Sequence, residues 1–105
     1  MPVVRLTPSE ASHLLAEGDV DLVDVREPAE WVRGHMPGAR HVPLGQLLRE
    51  PNRHLRQDRV LFVCGHGVRS LTAAQVAANR GFGKVFSLDG GVAGWCSAGF
   101  PLERS

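Results

Sequence analysis

Cys64 lies in a short segment whose residue types are suited to binding an anion. Residues 64–70 read Cys-Gly-His-Gly-Val-Arg-Ser and follow an apolar run. Glycine lets the backbone take positive φ, so successive N–H groups can point at one ligand. A helix that begins at the end of this segment would add free N–H donors and a partial positive charge. The pattern predicts a ring of donors around the thiol.

This setting predicts a reactive cysteine. Anion-binding loops stabilise the thiolate, and comparable sites lower a cysteine pKa from about 8.5 by one to several units. Arg69 adds a positive charge nearby. A nucleophile must also be reached by its substrate, so we expect Cys64 to be accessible to solvent and the amides of residues 65–70 to face it. The alternative is a buried structural cysteine followed by a plain turn.

The elements that position this segment follow from helix and strand signals that alternate along the chain. Thr7, Pro8 and Glu10 supply a capping residue, a proline suited to the first helical position and the glutamate of a capping box. Apolar runs typical of buried parallel strands separate the helices. The predicted strands are 20–25, 60–63 and 85–86; the predicted helices begin at Pro8 and stop at Gly18, cover 28–32 and 70–79, and follow Gly91.

Strands separated by helices predict crossover connections and a parallel sheet covered on both faces. In such sheets, ligands bind beyond the carboxyl ends of the strands. Residues 24–26, the segment that begins at Cys64 and residues 89–91 all follow predicted strands. We therefore expect these three segments on one edge of the sheet.

Composition excludes several classes of protein. The 105 residues suffice for one domain, residues 1–105, and 43% hydrophobic with 22% charged residues is typical of a soluble globular protein. A net charge of +1 without a basic tract argues against a nucleic-acid partner. No apolar run is long enough to span a membrane, and the N-terminus lacks the features of a secretory signal. We expect a cytoplasmic protein with no membrane partner.

Three segments resemble the signatures of the rhodanese superfamily, specifically its single-domain sulfurtransferases. Residues 24–31 with 34–39 are similar to the N-terminal signature, 64–70 to the catalytic loop, and 88–95 with 99–102 to the C-terminal signature. Three signatures in order and at proper spacing are highly specific, and they cover nearly the whole chain. The resemblance implies a three-layer α/β/α fold with a five-stranded parallel sheet.

The resemblance also implies a persulfide reaction at Cys64. The thiolate would take the outer sulfur of a donor such as thiosulfate, and a thiophilic acceptor, cyanide or a thiol, would remove it in a second step. A sulfur-accepting protein is a further partner to consider. No cofactor is expected, and a zinc site is not predicted because only one Cys-x-His pair occurs.

Residues around the cysteine are assigned to binding and support. The predicted substrate-binding residues are Gly65, His66, Gly67, Val68, Arg69 and Ser70. Within this set, Arg69 is the candidate for holding the sulfonate end of thiosulfate. His66 has two open interpretations, a donor to the anion or an exposed residue at the tip of the loop.

Three charged residues near the first signature are predicted to support the site: Asp24, Arg26 and Glu30. Arg26 and Glu30 lie four residues apart, which favours an ion pair between them over a contact with substrate. Asp24, at a strand end, is expected to orient loop backbone or arginine side chains.

Other polar and aromatic residues are assigned structural roles. His35 is expected to fix its loop by hydrogen bonding, and Asp89 to cap the last helix. Trp31 and Trp95 are predicted to pack in the core. Cys96 has no activating neighbours in the sequence, so we expect it to be a bystander rather than a resolving thiol.

Two other functions share the same cysteine. A phosphatase or arsenate reductase would also use a cysteine loop for a tetrahedral oxyanion, but only four residues separate Cys64 from Arg69, where the phosphatase signature has five. No aspartate is evidently placed as a general acid. The second alternative is a carrier that holds a persulfide and passes it between proteins without much turnover. Sequence alone leaves this alternative open.

Overall fold

The computed structural model describes residues 3–56 and 58–104. The strands are β1 (Val4–Leu6), β2 (Asp21–Asp24), β3 (Arg40–His41), β4 (Arg59–Val63) and β5 (Lys84–Leu88). The helices are α1 (Pro8–Glu17), α2 (Pro28–Trp31), α3 (Leu44–Arg49), α4 (Pro51–His54), α5 (Val68–Asn79) and α6 (Gly91–Ser97). Within the described ranges, no helix is long and apolar enough to cross a membrane.

The strands form one parallel sheet in the order β1-β5-β4-β2-β3. Side chains alternate across the central strand β4, because successive residues of a strand point to opposite faces. Val60 and Phe62 pack in one apolar cluster with the alanines of α5, whereas Leu61 and Val63 pack in a second cluster with Ala11 and Trp95. Helices thus cover both faces, which confirms the predicted α/β fold with its five-stranded parallel sheet.

The sequence pattern located three of the five strands, β2, β4 and β5, within two residues of their ends. The edge strands β1 and β3 are three and two residues long, too short for a period of two to stand out. The short helices α3 and α4 were also missed. Helix α5 begins at Val68, two residues before the predicted start.

The predicted start of α1 is confirmed in detail. The Glu10 N–H donates to Thr7 Oγ1 at 3.2 Å, and the Thr7 N–H donates to Glu10 Oε1 at 2.9 Å. This reciprocal pair satisfies two N–H groups that a helix start leaves free. Gly18 is the C-terminal cap, as expected.

The parallel sheet brings three segments to one edge. Asp24 ends β2, Cys64 directly follows β4, and Asp89 directly follows β5. Because β2, β4 and β5 are neighbours in the sheet, their carboxyl ends lie side by side. The expected common edge is confirmed.

Candidate active site

The loop between β4 and α5 wraps around the sulfur of Cys64. Gly67, the N-cap residue of α5, lies in the left-handed region with φ at 98°, and its N–H donates to Cys64 Sγ at 3.1 Å. A Cβ at this position would lie 3.2 Å from the Gly90 nitrogen and 3.3 Å from the Leu88 carbonyl oxygen. Glycine is therefore required both by the backbone conformation and by the space available. The predicted inward direction is confirmed for the amide of Gly67.

Opposing effects act on the pKa of the Cys64 thiol. Burial, the largest, raises the pKa because a thiolate loses hydration. Hydrogen bonds from the Ser70 hydroxyl and from the amides of Ser70, Gly67 and His66 lower it. The hydrogen bonds together outweigh burial, and the pKa lies below its ordinary value. The surroundings therefore favour the nucleophilic form of the thiol.

The expectation that Cys64 is accessible to solvent is wrong for this structure. Its side chain is 1% exposed and packs in the apolar cluster with Ala73 and Ala74 of α5. The physical reason is the small size of these alanines, which lets α5 approach the sheet closely and lay the loop over the sulfur. The thiol is thus buried and hydrogen-bonded at the same time.

Arg69 binds a carboxylate on α2. Its Nη1 and Nη2 donate to the two oxygens of Glu30 at 2.6 and 2.8 Å, a two-pronged pair. The hydrogen bond from Arg69 is the largest cause that lowers the pKa of Glu30 to about 2. The pair lies beside Gly65, where a Cβ would be 3.0 Å from Arg69 Nη2. It ties the cysteine loop to α2.

The predicted ion pair between Arg26 and Glu30 is therefore wrong. Arg26 is buried, and its Nε and Nη2 donate to the carboxylate of Asp24 at 2.9 to 3.0 Å. Its Nη2 also donates to the Gly34 carbonyl at 2.7 Å. Arg26 turns inward because Asp24, which is fully buried, needs a charged partner. Asp24 also accepts the N–H of Arg26 at 2.9 Å, so it contacts an arginine side chain and loop backbone as predicted.

The turn after β5 donates hydrogen bonds to the backbone of the cysteine loop. The Val92 N–H donates to the Cys64 carbonyl at 2.8 Å, and the Ala93 N–H donates to the Gly65 carbonyl at 3.1 Å. A Cβ on Gly91 would overlap both carbonyl groups. The first turn of α6 therefore fixes the backbone that carries the thiol.

Asp89 does not cap α6, contrary to prediction. The capping position is Gly90, in the left-handed region and without a side-chain bond. The Asp89 carboxylate instead accepts from Arg5 Nε at 2.7 Å, across to β1. The exposed pair lines one wall of an open cavity of about 580 Å³ that runs from His66 and Val68 along α5.

The remaining predictions concern aromatic residues and the second cysteine. His35 is buried, and its Nδ1 lies 3.3 Å from the Trp31 carbonyl oxygen, a hydrogen bond of the expected kind. Trp95 is in the core. Trp31 is half-buried and stacks on the rings of His35 and His41 outside the two core clusters, so its core assignment is wrong. Cys96 is exposed on α6.

Ser87 is a contact of the site that sequence reasoning missed. It is 1% exposed, and its Oγ lies 2.8 Å from Ser70 Oγ, which in turn lies 3.5 Å from Cys64 Sγ. The available signal was a lone hydroxyl residue in the otherwise apolar centre of β5. A polar group on a buried strand requires a partner.

Comparison with known proteins decides the family. The family model of the rhodanese-like domain matches residues 7–98, most of the chain. This chain belongs to the rhodanese-like domain family. The assignment agrees with the resemblance of its three sequence signatures.

Relatives of this rhodanese-like chain include named enzymes. The thiosulfate sulfurtransferase GlpE of Ectopseudomonas mendocina is 40% identical over 102 residues, covering 96% of this chain and 91% of that protein. The crystal structure of a thiosulfate sulfurtransferase from Pseudomonas aeruginosa has a TM-score of 0.85 at 27% identity, with 99% of this chain and 20% of that one covered. A Rhodopseudomonas palustris protein described as of unknown function, possibly a tyrosine phosphatase, has a TM-score of 0.84 at 31% identity, over 96% and 85% of the two chains.

Proposed function

We propose that this protein is a thiosulfate sulfurtransferase that carries sulfane sulfur as a persulfide on Cys64. The observation that carries the proposal is the Gly67 N–H donating to Cys64 Sγ at 3.1 Å, within a loop that lowers the pKa of the thiol despite its burial. The GlpE relative, which matches over nearly its whole length, supports thiosulfate as the donor.

In the first step, the Cys64 thiolate attacks the outer sulfur of thiosulfate. A new S–S bond forms, the bond between the two sulfurs of thiosulfate breaks, and sulfite leaves with the electron pair of that bond. The persulfide that remains on Cys64 carries one negative charge. Loop N–H groups suit this charge because the turn already aims them at the sulfur, so little reorientation is needed.

In the second step, an acceptor nucleophile attacks the terminal sulfur of the persulfide. With cyanide, a carbon–sulfur bond forms, the S–S bond breaks and thiocyanate leaves, which restores the Cys64 thiolate. With a thiol, the acceptor leaves as a persulfide. Each reaction passes through the same modified enzyme, so ping-pong kinetics are expected.

The other predicted residues have distinct roles in this proposal. The amides of residues 65–70 hold the anionic sulfur. Arg69 has N–H groups beyond the two that bind Glu30, and these would hold the sulfonate end of thiosulfate. Asp24, Arg26 and Glu30 are supporting residues: the first two brace the backbone before α2, and Glu30 holds Arg69.

The burial of the thiol has a consequence for access. A donor must reach a side chain that is 1% exposed, so the loop must open or the thiol must turn outward before attack. This requirement favours small donors such as thiosulfate over bulky disulfide reagents. The carrier, which passes persulfide to a partner protein, meets the same requirement, because the thiol of the partner must reach the same buried sulfur.

A phosphatase is the less favoured enzyme. The shorter loop, with four residues between Cys64 and Arg69, leaves less room for a full phosphate. We propose a cytoplasmic location and small-molecule partners, as the sequence predicts.

Steady-state formation of thiocyanate from thiosulfate and cyanide tests the proposal. We expect turnover that disappears when Cys64 is replaced. Stoichiometric persulfide on Cys64 without turnover would favour the carrier. Absence of both persulfide and turnover, with hydrolysis of a phosphate ester, would contradict the proposal and favour the phosphatase.

A further inference from the structure

A chain of three polar groups runs from the thiol into the protein interior. Cys64 Sγ lies 3.5 Å from Ser70 Oγ on α5, and Ser70 Oγ lies 2.8 Å from Ser87 Oγ on β5. The three residues are 1%, 0% and 1% exposed, so bulk water does not solvate them. Among residues 3–56 and 58–104, no other side chain or backbone group bonds to Ser87 Oγ.

The number of hydrogens shared by Cys64, Ser70 and Ser87 differs between the neutral thiol and the thiolate. With a neutral thiol, the three groups carry three hydrogens, but the chain has only two links. One hydrogen is therefore left without an acceptor, whichever way the hydroxyls turn. A buried donor without a partner is unfavourable.

With the thiolate, the count is balanced. Two hydroxyl hydrogens remain, and they occupy the two links in one direction: Ser87 donates to Ser70 Oγ, and Ser70 donates to the sulfur. Ser87 contributes to this arrangement by donating to Ser70 Oγ, because a hydroxyl that accepts a hydrogen bond donates a stronger one. The heavy atoms need not move, since only hydroxyl rotors turn.

We propose that Ser87 is a positioning residue, which directs the Ser70 hydroxyl at Cys64 and thereby favours the thiolate that attacks the sulfur donor. The role of this thiolate in catalysis rests on the proposed sulfurtransferase function. The preference for the thiolate itself does not, because it follows from the three buried groups alone.

Titration of the thiol tests this inference directly. The titration uses the Cys96→Ser background, in which Cys64 is the only thiol, and follows thiolate absorbance in the ultraviolet. In Ser87→Ala, Ser70 no longer accepts a hydrogen bond that strengthens its own donation to the sulfur, so the pKa of Cys64 is expected to rise by about half a unit. At a pH below both pKa values, persulfide formation is expected to fall about threefold, the change in thiolate fraction for half a pKa unit. At high pH, where both proteins are thiolates, the rates converge.

Matched variants separate the hydroxyl from packing. Thr and Val have nearly the same shape and both suit a strand, but only Thr has a hydroxyl. We expect Ser87→Thr to keep the low pKa and Ser87→Val to raise it as Ala does. Thr72→Ala, which removes an exposed hydroxyl on α5, should leave the pKa unchanged. Thermal unfolding identifies the folded variants, and equal pKa values in folded Thr and Val variants would overturn the proposal.

A double-mutant cycle tests whether Ser87 acts through Ser70. In a Ser70→Ala background, the hydrogen-bonded link between Ser87 and Cys64 is already lost, so adding Ser87→Ala should not raise the pKa of Cys64 further. Additive shifts would contradict the positioning role. If the wild-type protein forms no persulfide from thiosulfate, the sulfurtransferase proposal fails, whereas the titration still decides the role of Ser87.

Discussion

The turns after β4 and β5 share a local design but use it differently. Each ends in a left-handed glycine at the N-cap of the next helix, where no side chain caps the helix. These glycines are Gly67, with φ at 98°, and Gly90, with φ at 75°. In the first turn, the Gly67 N–H faces a sulfur atom. In the second, the next free N–H groups, of Val92 and Ala93, bond to carbonyls of the first turn.

The difference shows that free helix N–H groups are not by themselves a site. The same donors hold a reactive atom when a cysteine side chain occupies the centre of the turn, and they brace backbone when a carbonyl does. Helix α1 is a third case, because the side chains of Thr7 and Glu10 satisfy its N–H groups. We therefore expect substitutions in the three helix starts to have separable effects.

Replacing the atom at the centre of the first turn should have the largest effect. Cys64→Ser is expected to reduce thiosulfate-to-cyanide transfer more than about a hundredfold, because a hydroxyl is too weakly acidic to serve as the nucleophile. The matched control is Cys96→Ser on exposed α6, which should keep wild-type activity. Residual activity above a few per cent in folded Cys64→Ser would count against the role of Cys64.

A methyl group added at Gly91, after β5, should disturb the turn after β4. In Gly91→Ala, the new Cβ would overlap the Cys64 carbonyl and Gly65, in a backbone with φ at 59°. We expect unfolding free energy to fall by about 2–4 kcal/mol and transfer to fall about tenfold.

Gly90→Ala is the matched control for that variant. Its Cβ would be 3.3 Å from Gly94 Cα and touch no part of the cysteine loop. Denaturant unfolding should show a loss of about 1–2 kcal/mol with nearly normal transfer. Equal losses of activity in Gly91→Ala and Gly90→Ala would contradict the claim that transfer depends on the contact between Gly91 and the cysteine loop.

Replacing Arg69 should raise the KM for one sulfur donor more than the KM for another. Arg69→Ala removes a charge that binds the sulfonate end of thiosulfate in our proposal, so KM for thiosulfate is expected to rise about tenfold. The KM for an uncharged persulfide donor should change less. Arg53→Ala, which removes an exposed arginine paired to Glu50, is the control for lost charge. Equal increases for both donors would instead indicate that Arg69 acts only through Glu30 and the loop.

The smallest effect on activity is expected at the start of α1. Thr7→Ala removes the side-chain cap and should lower the unfolding free energy by about 1 kcal/mol. Because α1 does not contact the cysteine loop through its cap, transfer rates should not change. A loss of activity without loss of stability would show that the helix starts are coupled in a way the structure does not explain.

The sequence predicted the location of the site better than its internal contacts. The glycines around His66 predict a turn with inward amides, because backbone freedom is a local property. Burial of Cys64 depends on how closely the alanines of α5 approach the sheet, which no local pattern reports. The two edge strands came only from the family resemblance, since β1 and β3 are too short to show a period.

Charged pairs were predicted wrongly for a related reason. The spacing of four between Arg26 and Glu30 suggested a local pair, yet Glu30 binds Arg69, 39 residues along the chain. The sheet brings α2 and the cysteine loop together. The spacing of residues within one segment carries no information about such a long-range contact. Ser87 was missed in the same way, because its partner Ser70 lies on a different element.

The central claim is that one buried thiol, held by the turn after β4, carries the transferred sulfur. Intact-mass measurement after incubation with thiosulfate, followed by peptide mapping without reductant, tests it most directly. We expect a gain of one sulfur atom per chain, located on Cys64 and removed by cyanide. No gain in mass, or a sulfur located on Cys96, would contradict the account.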